Sequence, residues 1–393
     1  MVARFWFFLF TSLVTLFSSS DRIPPANNTM EQKLSNVILT DSFYKRFDGN
    51  TGYHIIIMNM TRFDTTLMGN FQLDSHQPVP FLFNSKIDKN GFFILNGGSI
   101  SCNNANVSRS GILTGQFISA KEIKGMWISS DKKEKYNFDL FENYPNGSAE
   151  FSTVCYHKNI TQGDINKKGV AEITILYPVM KNFANDTVQI IINKYLAKTL
   201  LNSYSYSKSA APYRNYDEMM NDFFRRYRDD IKFSKKIKIE HDIYFSNFYA
   251  INVLYNSNNI LSTQEFVSIY EGGAHPITNY NFKNFNLVNG KEVKLNDVLS
   301  GNYMAELTKI AENKFRRLFN IPANKDLIKA GFFFNKGIFK LNDNYSFSNY
   351  GITFQFNPYE VAAYVYGAPE ITIPYSEIKN LIKPVSILGK FLK

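Results

Sequence analysis

Between residues 44 and 158 one short β-prone segment follows another, and that rhythm restricts the fold more than any other feature of the chain. "YHIIIMNM", "TTLMGNFQL", "VPFLFNSKI", "GFFIL", "GILTGQFIS", "EIKGMWIS", "KYNFDLF" and "AEFSTVCYH" are separated by turn formers such as Asp48-Gly49, Lys89-Asn90-Gly91 and Asn146-Gly147. Short strands at regular spacing, broken by Gly and Asn, predict an antiparallel meander that closes into a barrel or a curved sheet. Three echoes support it: Gly69-Asn70-Phe71, Gly115-Gln116-Phe117 and Gly125-Met126-Trp127 each place a glycine two residues before an aromatic. A glycine there gives a strand sharp curvature or leaves room for a neighbouring ring.

After Thr161 the pattern changes. "VAEITILYPV" (170–179) reads as a strand ending at Pro178, and the next stretch carries Val188, Ile191, Ile192, Tyr195, Leu196 and Thr199 on one helical stripe, capped by Asn185 or Asp186. "YDEMMNDFFRRYRDDIKF" is a second helix with acids early and Arg225, Arg226 and Arg228 late, an order that suits the helix dipole and a solvated face. Long alternating strands follow, then a hairpin at Asn289-Gly290, an amphipathic helix over 303–319, and a closing strand, loop, strand and short helix. Strands and helices in blocks predict an α+β module with helices packed on an antiparallel sheet. The expected organisation is a signal peptide at 1–20, a polar tether at 21–42, a β-rich, barrel-like meander domain at 43–158 and an α+β domain at 161–393.

The first twenty residues justify the export reading. Arg4 precedes an apolar run from Phe5 to Phe17, followed by Ser18, Ser19 and Ser20, the pattern of a secretory signal peptide; retention as an anchor is the alternative. No later segment is apolar for long enough to span a membrane. The expected location is therefore exported, periplasmic or secreted. Two cysteines, Cys102 and Cys155, allow one disulfide or two free thiols. With five scattered histidines they show no ligand spacing, so neither a metal nor another cofactor is expected. The formal charge of +10 is uneven: residues 161–393 hold 29 Lys and Arg against 21 Asp and Glu, a net of +8. Such a module is attracted to anionic envelope polymers; export and the lack of a binding motif argue against nucleic acid. Asn and Lys, with Phe, Tyr and Ile, are what an AT-rich genome over-supplies, so part of the bias reads as genomic.

Two stretches stand out as sites. "YEGGAHP" (270–276) puts Gly272 and Gly273 directly after a strand, with His275 before Pro276. The glycines suit positive φ or a close backbone approach, and Glu271 is the only acid near His275 in sequence. "NPYEVAAYVYG" (357–367) sets Tyr359, Glu360, Tyr364 and Tyr366 on a loop, where tyrosines either pack under helices or form an aromatic platform for a sugar or peptide. The candidate ligand-binding residues are Tyr270, Glu271, Gly272, Gly273, His275, Tyr359, Glu360 and Tyr364. No nucleophile motif or paired carboxylates accompany them, so no catalytic residue is assigned.

These two stretches, with "LNDVL" (295–299) and "ITIPYSEI" between and after them, resemble the extracytoplasmic domain of RsiV-type anti-sigma factors. "VAEITILYPVM" and its following helix are similar to the start of that family's smaller partner domain, a pair also found ahead of the catalytic module in PdaC-type peptidoglycan deacetylases. The resemblance covers about residues 165–385. It implies an α+β fold and, in the anti-sigma member, lysozyme binding; in the deacetylase the pair is a non-catalytic companion. This chain shows no sigma-binding segment and no recognisable deacetylase domain. The expected function is an exported, non-enzymatic binding protein whose partner is a glycan, a peptidoglycan fragment or a protein, lysozyme included. An envelope enzyme with a site around His275 and Glu360 is the alternative.

Overall fold

The computed structural model of the chain describes residues 39–52, 54–73, 81–96, 111–129, 131–162, 169–202, 212–237 and 243–392. The signal sequence, nearly all of the expected tether, and Cys102 lie outside them. Among the described residues no helix is long and apolar enough to cross a membrane.

The meander is present. Strands β1 (Ser42–Thr51), β2 (His54–Phe63), β3 (Thr66–Leu73), β4 (Phe81–Lys86), β5 (Phe92–Asn96), β6 (Ile112–Ser119), β7 (Glu122–Ile128) and β8 (Lys135–Glu142) form one sheet in the order β4-β3-β2-β1-β8-β7-β6-β5. An antiparallel bridge from Ile87 to Phe93 joins its two ends, so the sheet nearly closes on a core of Phe47, Phe71, Phe93 and Phe117. The glycines make that curvature sterically feasible. Gly115 and Gly125 face each other across β6 and β7; a Cβ on Gly115 would lie 2.5 Å from the Phe93 ring, and one on Gly125 2.5 Å from the Phe138 ring. Asp48-Gly49, expected as a turn, instead sits inside β1. A Cβ at Gly49 would come within 1.9 Å of the Asp139 carbonyl oxygen, so glycine is required where β1 meets β8.

The stretch "AEFSTVCYH", grouped by sequence with the meander, leaves the barrel. It becomes β9 (Glu150–Gln162), paired antiparallel with β10 (Gly169–Lys181). Pro178 does not end β10. The neighbouring strand on its far side has already separated after Leu176, so the missing proline N–H is not needed there. Two helices, α1 (Asp186–Asn202) and α2 (Tyr216–Lys236), then carry the chain across to β11 (Tyr244–Ser257), which runs parallel to β10. Asn185 caps α1 through Val188 N–H (3.2 Å), and Asn215 caps α2 through Glu218 N–H (2.8 Å). Val188, Ile192, Leu196 and Leu200 of α1 and Met219, Phe223 and Tyr227 of α2 pack on the sheet; Ile191, assigned by sequence to the buried stripe, is exposed. Strands β12 (Ile260–Tyr270) and β13 (Ile277–Asn286) complete a five-stranded sheet ordered β13-β12-β11-β10-β9. A second core centres on Phe315, formed by α3 (Leu295–Val298), α4 (Tyr303–Leu318) and a small sheet of β14 (Tyr345–Phe347), β15 (Gly351–Gln355) and β16 (Glu370–Pro374).

Barrel and α+β module meet at a β-bulge. The β11–β12 ladder shifts register between Val253 and Tyr255, which releases backbone carbonyls from strand pairing. The barrel satisfies them with side-chain amides: Asn70 donates to Val253 O (2.7 Å) and Asn59 to Leu254 O (3.3 Å). Tyr44 O–H donates to Asn59 Oδ1 (2.8 Å), and Asn256 donates to Tyr44 (3.2 Å) and to Ala149 O (2.7 Å). All four side chains are buried. Asn70→Ala leaves a buried carbonyl unpaired and is expected to cost about 1–3 kcal/mol, read as a lower urea midpoint.

Glu265 on β12 is also buried, on the α1 side of the sheet. Burial pushes its carboxyl up to about 7, although Asn281 and Thr199 donate to it and Lys283 is near. The native state therefore holds a proton that the unfolded chain releases near its ordinary carboxylate value. The associated stabilisation is complete below that value and is lost as pH rises towards 7. Burial also pushes Glu370 up to about 7, so two groups titrate in this window. Glu265→Gln is expected to flatten part of the decline and to raise stability at pH 8 by roughly 2–3 kcal/mol, measured by denaturant melts across pH.

Candidate functional site

The turn between β12 and β13 presents the first motif. Gly272 and Gly273 have φ of 96° and 104°, a region closed to most side-chain-bearing residues. A Cβ on either would meet nothing within 4 Å. The glycines thus serve backbone conformation alone, and the close backbone approach anticipated from sequence does not occur. Tyr270 O–H closes the turn onto Gly273 O (3.1 Å).

His275 is half-buried at the end of this turn. Its Nδ1 lies 2.9 Å from Pro276 O; a carbonyl only accepts, so Nδ1 carries a proton, and in the neutral ring Nε2 is the acceptor. The Tyr359 hydroxyl, 2.9 Å from Nε2, donates to it. The imidazole stacks on Tyr364 with ring centroids 3.8 Å apart and planes 14° apart, and Tyr359 lies 5.6 Å from Tyr364. Three of the residues singled out by sequence therefore meet, although 84 residues separate His275 from Tyr359. Tyr359 is 56% exposed and holds a φ of 68°, an unusual conformation for a residue with a side chain. Val365, next to Tyr364 in the chain, is exposed as well.

Asparagines hold the second loop in place. Asn357 accepts from Tyr280 N–H (2.6 Å) and donates to Tyr280 O (3.1 Å), pinning the loop to the edge of β13. Glu360 is part of the same brace: one carboxylate oxygen accepts from Asn357 N–H (2.7 Å), the other from Asn342 (3.0 Å).

Glu271 faces away from the imidazole. Arg226 of α2 grips its carboxylate with two donors (3.0 and 2.6 Å), and Asn247 adds a third (2.7 Å). Arg226 also pairs with Asp222. The helix charges were expected to form a solvated face, yet Arg226 ties α2 to the turn that carries His275. The link has no signature in the sequence, because nothing in helical spacing singles out Arg226 from Arg225 or Arg228. Glu271 and Glu360, the acids within the two motifs, thus both have structural partners.

Cys155 is half-buried and has no disulfide partner among the described residues, from which Cys102 is absent; burial pushes its thiol pKa up to about 12. Among the described residues no group of three or more His, Cys, Asp or Glu side chains is arranged to hold a metal ion.

The fold and site together define a barrel-like β-domain joined to an α+β module that presents an aromatic cluster from two loops. Comparison with known proteins narrows this description. Residues 165–278 match the family described as Deacetylase PdaC, and residues 296–376 match a family described as Protein of unknown function (DUF3298). His275 lies in the first match and Tyr359 and Tyr364 in the second, so the cluster forms where the two matched segments meet. A crystal structure of a DUF3298-family member from Bacteroides fragilis is 22% identical, with a TM-score of 0.50, covering 62% of this chain and 98% of that one. A DUF3298-family protein from Pseudomonas aeruginosa is 16% identical, with a TM-score of 0.43, covering 61% and 97%. The first likeness bears on the fold. No curated protein matches.

If positive φ alone demands the glycines, Gly272→Ala is expected to cost about 1–2 kcal/mol of backbone strain with no loss of packing. Thermal melts of this variant and Gly273→Ala test it, and a much larger loss would point to a steric role.

Proposed function

We propose that this chain is an exported, non-enzymatic binding protein of the cell envelope or extracellular space, and that its His275–Tyr359–Tyr364 face recognises a glycan. The observation that carries the reading is the stack itself, an imidazole locked on Tyr364 beside an exposed Tyr359. Flat, preorganised rings of this kind bind sugar faces and partner side chains at low entropic cost. The signal-like N-terminus supports export. The likeness to RsiV-type domains supports an envelope partner, with peptidoglycan fragments as the first ligands to test. Lysozyme is the protein alternative; the net charge of +8 over 161–393 steers another basic protein away at long range, so it would need a local acidic patch.

One observation favours an enzyme instead: the Tyr359 hydroxyl sits on His275 Nε2, as a proton-transfer pair would. The family description over 165–278 names a deacetylase. Against this reading, the carboxylates of Glu271 and Glu360 are engaged elsewhere, so neither serves as the acid that would orient His275 as a general base.

Calorimetric titration with soluble peptidoglycan fragments and N-acetylglucosamine oligomers tests the proposal. Binding to the wild type and a loss of roughly tenfold or more in Tyr359→Ala and Tyr364→Ala are expected. Equal affinity in the variants would remove the site, and ligand turnover that disappears in a folded His275→Ala protein would replace binding with catalysis.

A further inference from the structure

The two edges of the five-stranded sheet are treated differently. On β13 outward backbone groups of Tyr280, Phe282 and Asn284 are occupied. Asn357 pairs with both the N–H and the C=O of Tyr280, Asn344 accepts from Phe282 N–H (2.8 Å), and Val293 N–H donates to Asn284 O (2.8 Å). These side chains imitate a neighbouring strand and prevent another from adding. The opposite edge is β9, whose ladder partner throughout its 13 residues is β10. No backbone hydrogen bond to another described segment occupies its outward side from Cys155 to Thr161.

A groove of about 470 Å³ runs along that edge, lined by His157, Lys158, Asn159 and Ile160 together with Asn221, Phe224 and Arg228 of α2. Successive side chains of a strand point to opposite faces, so four consecutive residues line one groove only along an edge. Its chemistry is one-sided. Lys158 and Arg228 are exposed, no ion pair to either is recorded among the described residues, and no carboxylate lines the groove. The neighbouring acids Asp222 and Asp229 already pair with Arg225, and Asp222 also with Arg226. Phe224 and Ile160 supply an apolar floor.

We propose that this edge binds an extended acidic peptide segment as a sixth strand, whose face towards α2 carries carboxylates that meet Lys158 and Arg228 and, two residues away on the same face, apolar side chains against Phe224 and Ile160. Backbone pairing supplies affinity, and the alternating side chains supply selectivity. A lone lysine on an edge is a common device against pairing; here it faces a second cation across a groove, which suits an anionic strand. The same charges disfavour a second copy of this chain, because self-pairing of β9 would bring like charges together.

The test uses the full chain and a capped peptide repeating Glu-Thr-Val-Thr, in which glutamate and valine share one strand face, followed by fluorescence anisotropy at low salt. Expected are saturable binding, weakening with salt, and slower amide exchange over residues 155–161. The Lys158→Glu/Arg228→Glu variant should lose about tenfold or more in affinity and should gain affinity for the matching lysine–valine peptide. A peptide N-methylated on alternate residues, which cannot pair as a strand, should not bind. The proposal is overturned by failure of the acidic peptide to bind, by unchanged affinity in the charge-reversed variant, or by equal binding of the N-methylated peptide. Dimerisation of the chain through β9 in sedimentation experiments would assign the edge to a second copy and overturn it too.

Discussion

The junction between barrel and α+β module depends on buried amides meeting buried carbonyls at one β-bulge. Leu254 is the extra residue in β11, and a bulge in a strand covered by another layer would strand polar backbone atoms away from water, each a serious cost. The barrel supplies Asn59 and Asn70 at those atoms, and Tyr44 and Asn256 extend the network to the start of β9. Apolar packing alone tolerates sliding, whereas directional bonds of this kind specify one arrangement. The register of β11 is thereby tied to the barrel, and with it the placement of β12 and its terminal turn.

From there the same device recurs outward to the site. Asn344 and Asn357 cap the edge of β13, and Asn357 also carries the loop that bears Tyr359 and Tyr364. Arg226 and Asn247 hold Glu271 at the other end of the turn. The aromatic cluster opens to solvent at Tyr359, but both loops beneath it are fixed by side-chain bonds to the rest of the module. Preorganisation of this kind lowers the entropic cost of binding and suits recognition by flat rings.

The sequence showed the strand rhythm, the helices and the two motifs, because all of these are local patterns: alternation, helical stripes, Gly and Asn at turns. It did not show that "AEFSTVCYH" pairs outside the barrel, since a strand's alternation is the same in either sheet. Asp48-Gly49 looked like a turn because a glycine required by close strand approach and one required by a turn are spelled alike. The asparagines were the largest omission. Their abundance read as genomic bias, yet Asn59, Asn70 and Asn256 are buried partners of backbone and tyrosine. At the site, the meeting of His275 with Tyr359 and Tyr364 depends on long-range topology, while the commitment of Glu271 to Arg226 depends on a helix packed across the sheet. Neither has a periodic signature.

The proposed function rests on an aromatic face, built from two loops, as the place where the ligand is received. The most direct measurement is an NMR map of the chain, with tyrosine and histidine ring protons resolved, during addition of a soluble peptidoglycan fragment. The largest shifts are expected on the rings of Tyr359, Tyr364 and His275, with the barrel core silent. Shifts centred elsewhere, with these three rings unmoved at saturation, would contradict the proposed function.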